Sequence, residues 1–136
     1  MKELTVDAAV ENIEVVTEFI THELEKLDCP MKAQTQIAIA IDELFGNIAR
    51  YAYTPTIGKA TVRFEVEESP LAVRITFIDQ GVPFNPLERA SPDIHADVQD
   101  RPIGGLGIFL VQKSMSLVEY NYENGQNVLT IKKNIE

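Results

Sequence analysis

Apolar positions along this chain recur first at helical spacing and later at strand spacing. Lys2 to Val6 can form a short edge strand. From about residue 8 to 27, Val10, Ile13, Val16, Ile20, Leu24 and Leu27 return every three or four positions, as one buried helix face does. Val15, Phe19 and His22 point roughly away from that stripe. They are expected to be either isolated exposed residues or a protein-contact face. Asp28-Cys29-Pro30 breaks the pattern. A second stripe, Ile37, Ile41, Leu44 and Ile48, predicts a helix from about Met31 to Tyr53, ended by Pro55 and Gly58.

The period then drops to two. Ala60, Val62, Phe64 and Val66 alternate with Thr61, Arg63, Glu65 and Glu67. After Glu68-Ser69-Pro70, Leu71, Val73, Ile75 and Phe77 alternate with Arg74 and Thr76, which predicts an antiparallel hairpin with one polar face. Residues 80 to 103 lack periodicity and hold Pro83, Pro86, Pro92 and Pro102. A loop this long in a compact domain is usually functional or mobile. Gly104-Gly105-Leu106-Gly107 opens a third helix to about Met115, and Val118 to Glu123 with Val128 to Lys133 form a last hairpin around Asn124-Gly125. The order β-α-α-β-β-loop-α-β-β predicts an α+β fold. It is a two-layer sandwich with helices on one face of a mostly antiparallel sheet, one domain over residues 1–136.

Charge narrows the function classes. The 136 residues carry 12 Lys and Arg against 21 Asp and Glu, a net charge of −9. Sequence-independent nucleic-acid binding needs a basic surface, so direct nucleic-acid contact is not expected. A bare polyanion would also be repelled. Binding one requires a metal ion, backbone N–H groups and a few local cations. The single cysteine, Cys29, permits no disulfide, and His22 and His95 show no metal-ligand spacing. No apolar run approaches the roughly 20 residues of a membrane span, and Met1-Lys2-Glu3-Leu4 shows no signal-peptide core. A cytoplasmic location is expected.

Three stretches carry chemistry. In the second helix, Glu43 and Asn47 are four apart and share a face, which Arg50 extends, while Ile41, Leu44 and Ile48 face the core. A carboxylate there can serve as general base and an amide oxygen as an Mg²⁺ ligand, although a solvated polar face fits the same pattern. Gly46, costly inside a helix, points to close packing or a ligand. Asp79 ends an apolar strand in Ile78-Asp79-Gln80-Gly81-Val82-Pro83. It can accept a hydrogen bond from an exocyclic amine such as that of adenine, with Gly81 allowing close approach; a plain turn is the alternative. In Arg101-Pro102-Ile103-Gly104-Gly105-Leu106-Gly107, three glycines lead straight into an apolar helix. That exposes N–H groups at the positive end of its dipole, with Arg101 as added charge, unless the stretch is a flexible connector. The stretch is neither a Walker A loop nor a Rossmann turn.

Glu-x-x-x-Asn on a helix, Asp-x-Gly-x-Pro after a strand and Gly-Gly-x-Gly before a helix, in this order, resemble the N, G1 and G2 boxes of GHKL (Bergerat-fold) ATPases. The short chain, the lead-in helix and the Asp79-Gln80-Gly81-Val82-Pro83-Phe84-Asn85-Pro86 form of the G1 box look most like anti-sigma-factor serine kinases of the RsbW and SpoIIAB type. The likeness spans about residues 4 to 133. It implies ATP and Mg²⁺ as cofactors, Asn47 as metal ligand, Glu43 as general base, and Asp79 with Gly81 at the adenine. Gly104, Gly105 and Gly107 would sit at the phosphates and Arg101 near the γ-phosphate, under an ATP lid at about 84–103. It further implies a sigma factor and a STAS-domain anti-anti-sigma protein as partners, and a homodimer. The chain departs from the family pattern at Tyr51-Ala52-Tyr53, where His-Ala-Tyr is frequent. It departs again at Gly125-Gln126-Asn127, where many members carry Gly-Thr-Thr with a threonine near the adenine pocket. The second departure bears on nucleotide affinity, and with it on catalytic competence. An ATP-gated binding module without useful phosphotransfer is the alternative. A histidine kinase catalytic domain is disfavoured, because His22 does not lie in a phosphoacceptor hairpin.

Overall fold

The computed structural model describes residues 1–89 and 105–135. Strand β1 (Lys2–Asp7) leads through a 3-10 turn (Val10–Asn12) into helix α1 (Ile13–Lys26). Helix α2 (Met31–Asn47) follows and continues as one π-helical turn (Ile48–Ala52). Strands β2 (Lys59–Glu67) and β3 (Ala72–Asp79), a short 3-10 turn (Pro86–Arg89), helix α3 (Gly105–Ser114), and strands β4 (Leu117–Glu123) and β5 (Gln126–Asn134) complete the order. The sheet runs β1-β2-β3-β5-β4 with every neighbouring pair antiparallel. Three helices pack on one face, as the α+β expectation required.

The period-two alternation decides which side chains meet the helices. Val62 and Phe64 on β2, Val73, Ile75 and Phe77 on β3, and Leu129 and Ile131 on β5 are buried against Val16, Ile20 and Leu24 of α1 and Ile37, Ile41, Leu44 and Phe45 of α2. Each such side chain contributes about 1.5–3 kcal/mol on burial. The other sheet face is polar and laced by cross-strand ion pairs. Glu67 holds Arg74 and Lys132, and Glu3 holds Arg63. Asn124 and Gly125 both adopt positive φ (54° and 75°), the geometry that a two-residue hairpin turn demands.

Three local readings change. Val10, placed on the buried stripe from spacing, is 48 % exposed. It lies in the 3-10 turn before α1, and that turn's tighter winding takes it out of phase. Phe19 is partly buried against the core, so Val15 and His22 remain exposed without it. Helix α2 does not run regularly to Tyr53: its α-helical bonding ends at Asn47 and the next turn is wider.

Candidate nucleotide site

Asp79 inherits its position from strand parity. It follows Val73, Ile75 and Phe77 on the inward face of β3, so a carboxylate is carried into the helix–sheet interface and is only 4 % exposed. Burial pushes its carboxyl above the usual aspartate range. Hydrogen bonds from the Asn127 side chain (2.9 Å) and the Gly81 N–H (2.9 Å), both to Oδ1, act against that rise. Gly81 is needed for packing: a Cβ there would stand 2.2 Å from the Ala52 carbonyl oxygen. The neighbouring Val82 N–H donates to the same carbonyl at 3.0 Å. The π-helical turn after α2 thus delivers Ala52 to the strand exit, in keeping with the frequent use of such turns at functional sites.

A pocket opens beside Asp79. Asn47, Ile48 and Ala52 line it from α2 and its wide turn, Phe77 from the sheet floor, and Phe84 and Pro86 from the strand-exit segment. Its walls are mainly apolar, with Asp79, Asn47, Asn127 and Tyr120 as polar groups, a composition suited to a flat heteroaromatic ring. Tyr53 braces the exit of β3. Its hydroxyl accepts from the Gln80 N–H (2.7 Å) and donates to the Lys59 carbonyl (2.6 Å).

Glu43 lies one turn nearer the start of α2 than Asn47, against α3. A Cβ on Gly107 would fall 2.2 Å from the Glu43 carboxyl carbon, so the missing side chain in the first turn of α3 is what admits this carboxylate. Burial raises the Glu43 pKa and Asp42 raises it further, while Arg50 lowers it. A carboxylate tuned upward is a better proton acceptor near neutral pH. Gly46 has a milder reason. A Cβ there would meet the Arg50 guanidinium at 2.8 Å, the movable end of a long side chain, and no backbone atom lies that close.

The fold therefore gathers Asn47 and Asp79 around one pocket, packs Gly81 against Ala52, which lines it, and sets Glu43 against Gly107, with Gly105 opening α3. Arg101 and Gly104, and most of the 84–103 stretch, lie outside the described residues. Among the described residues no cluster of three or more His, Cys, Asp or Glu could hold a metal. Spacing alone missed Asn127, Tyr120 and Tyr53. The signal for Asn127 was available: it shares strand parity with the buried Leu129 and Ile131, and an amide on an inward apolar stripe needs partners.

A buried strand-end carboxylate beside an apolar pocket and a carboxylate lodged against a glycine-led helix thus stand together on this α+β scaffold. The chain belongs to the histidine kinase-like ATPase domain family, which it matches over residues 6–133. Within it, the chain is 26 % identical over 134 residues to the "Serine-protein kinase RsbW" of Bacillus mycoides, covering 96 % of this chain and 82 % of the relative. It is 35 % identical over 98 residues to the protein of the same name from Bacillus cereus, covering 69 % of this chain and 60 % of the relative. The GHKL resemblance of RsbW type is thereby borne out. Among solved structures, the histidine kinase domain of the Erythrobacter litoralis EL346 blue-light activated histidine kinase superposes with a TM-score of 0.50 at 14 % identity. It covers 78 % of this chain and 46 % of that one, a likeness of fold alone.

Proposed function

We propose that the chain is an ATP-dependent serine-protein kinase that sequesters a sigma factor and phosphorylates a serine of a STAS-domain anti-anti-sigma protein. The observation that carries the reading is the seating of the Glu43 carboxylate against Gly107, in the first turn of a glycine-led helix. A proton acceptor is thereby brought next to N–H groups suited to phosphate. The RsbW relatives support the serine as acceptor.

The residues present suit Mg·ATP. Asp79 presents a buried acceptor to a base amine in a pocket with apolar walls. Asn47, on the same wall, would offer its side-chain oxygen to Mg²⁺, which keeps most of its ligands as water and phosphate. The N–H groups of Gly104, Gly105 and Gly107 would cradle phosphates, and Arg101 would add positive charge near the γ-phosphate. Mg·ATP when bound supplies the transferable phosphoryl group and much of the charge neutralisation. Glu43 then orients the incoming serine hydroxyl and takes its proton on a carboxylate oxygen. Residues 84–103 would form the lid that excludes water. In this reading the protein works as a homodimer in the cytoplasm. Among the described residues no helix is long and apolar enough to cross a membrane.

The test is transfer of label from γ-labelled Mg·ATP to protein in an extract of the source organism, with Glu43→Gln as control. A small labelled protein that disappears with the variant supports the kinase. Binding of Mg·ATP without transfer would establish an ATP-gated binding module instead.

A further inference from the structure

The Asn127 amide is only 5 % exposed, and all its hydrogen-bonding capacity is used. Its Oδ1 accepts from the Phe84 N–H (3.1 Å) and the Tyr120 hydroxyl. Its Nδ2 donates to Asp79 Oδ1 (2.9 Å) and the Val82 carbonyl (2.9 Å), with the Gly81 carbonyl at 3.5 Å. A side-chain amide has two donors and two lone pairs, so this set fixes its orientation. Turned over, it would set its oxygen against the Asp79 carboxylate and the Val82 carbonyl, and its NH₂ against the Phe84 N–H.

Two consequences follow. Among the described residues both donors that Asp79 receives fall on Oδ1, which leaves Oδ2 available to a base. The same amide also grips the strand exit at Val82 and Phe84, whose side chain, with Pro86, walls the pocket. From the other side, the Tyr51 ring lies 5.8 Å from that of Phe84, and the Ala52 carbonyl holds the Val82 N–H. Tyr51 and Asn127 lie 76 positions apart in the sequence. They meet on one residue.

We propose that Asn127 is the positioning residue of the base pocket, locking Asp79 and Val82–Phe84 into a single arrangement, so that reading the adenine amine and seating the strand exit are one event. The proposal rests on the adenine reading of Asp79. A base with an exocyclic donor at that edge is accepted, whereas the guanine carbonyl meets the carboxylate. Tyr51 backs the same lock through Phe84.

The experiment compares ATP and GTP affinities by calorimetry in the wild-type chain, Asn127→Ala, Tyr51→Ala and the double variant. Asn127→Ala is expected to weaken ATP about tenfold or more, from the loss of buried hydrogen bonds, and to move GTP little, so the ATP:GTP ratio collapses. The two single losses should combine to less than their product, because both act through Phe84. An unchanged ATP:GTP ratio in Asn127→Ala, or losses that simply multiply, overturns the proposal. The chain has no tryptophan, so Phe84→Trp supplies a reporter without nucleotide. Its emission should shift to the red when Asn127→Ala is added, and unchanged emission overturns the lock. This arm stands even if the wild-type chain binds no ATP, the result that would sink the nucleotide reading itself. Should Asn127→Ala fail to fold, Tyr120→Phe removes one donor to Oδ1 and should lower the ATP:GTP ratio in the same direction by a smaller factor; no change there counts against the proposal.

Discussion

Asp79 and Asn127 form a buried, hydrogen-bonded polar pair beside the hydrophobic core. Burying a carboxylate disfavours its charged form, so the folded chain holds the Asp79 proton more tightly than the unfolded chain does. Between the ordinary aspartate pKa and the raised folded one, the native state binds more protons. Stability therefore falls as pH rises through that window. Asp79→Asn removes the buried charge while its side-chain oxygen can still accept from Gly81 and Asn127. Its melting temperature at pH 7.5 should equal or exceed that of the wild type, while ATP affinity drops about 10- to 100-fold, the worth of a charge-assisted hydrogen bond. Thermal melts and calorimetry on the same samples decide it. A lower melting temperature with intact ATP affinity would make Asp79 a structural residue.

At the level of elements, the contact between α2 and α3 turns on one missing side chain. Gly107 leaves room for the Glu43 carboxylate, and any Cβ there must push that carboxylate away. Alanine is the better helix former, by about 1 kcal/mol in a helix interior. Gly107→Ala should therefore melt within a few degrees of the wild type yet lose at least tenfold in phosphotransfer. A full-rate Gly107→Ala enzyme would remove Glu43 from the chemistry. The widened turn Ile48–Ala52 is the second such device, since only its geometry brings the Ala52 carbonyl to Val82 and Gly81. Helical periodicity continued to Tyr53 could not foresee it, because a π-turn leaves no mark on apolar spacing.

For the whole molecule, a ligand that binds only the folded state adds RT ln(1 + [L]/Kd), about 2.7 kcal/mol at a hundredfold excess over Kd. For a chain of 136 residues that corresponds to a rise of roughly 10 °C in melting temperature. With a net charge of −9, the proposed binding of a polyanionic nucleotide is expected to need a metal ion. The expectation is a large upward shift with Mg·ATP and a much smaller one with ATP and a chelator. Equal shifts in both would show that no metal-dependent site operates.

The layers, the strand order along the chain and the inward set of each strand were legible because burial enforces a period of 3.6 or 2 on the residues themselves. Asp79 was legible for the same reason, as were Glu43 and Asn47 one turn apart on a helix. Contacts between residues remote in sequence were not. Asn127 stands opposite Asp79 only through the β3–β5 register, and its hydroxyl partner Tyr120 comes from the edge strand β4. Gly107 receives Glu43 only because α3 packs on α2. Local pattern states which face of an element is buried. Sheet register and helix packing, which depend on the whole chain closing at once, decide which buried groups meet.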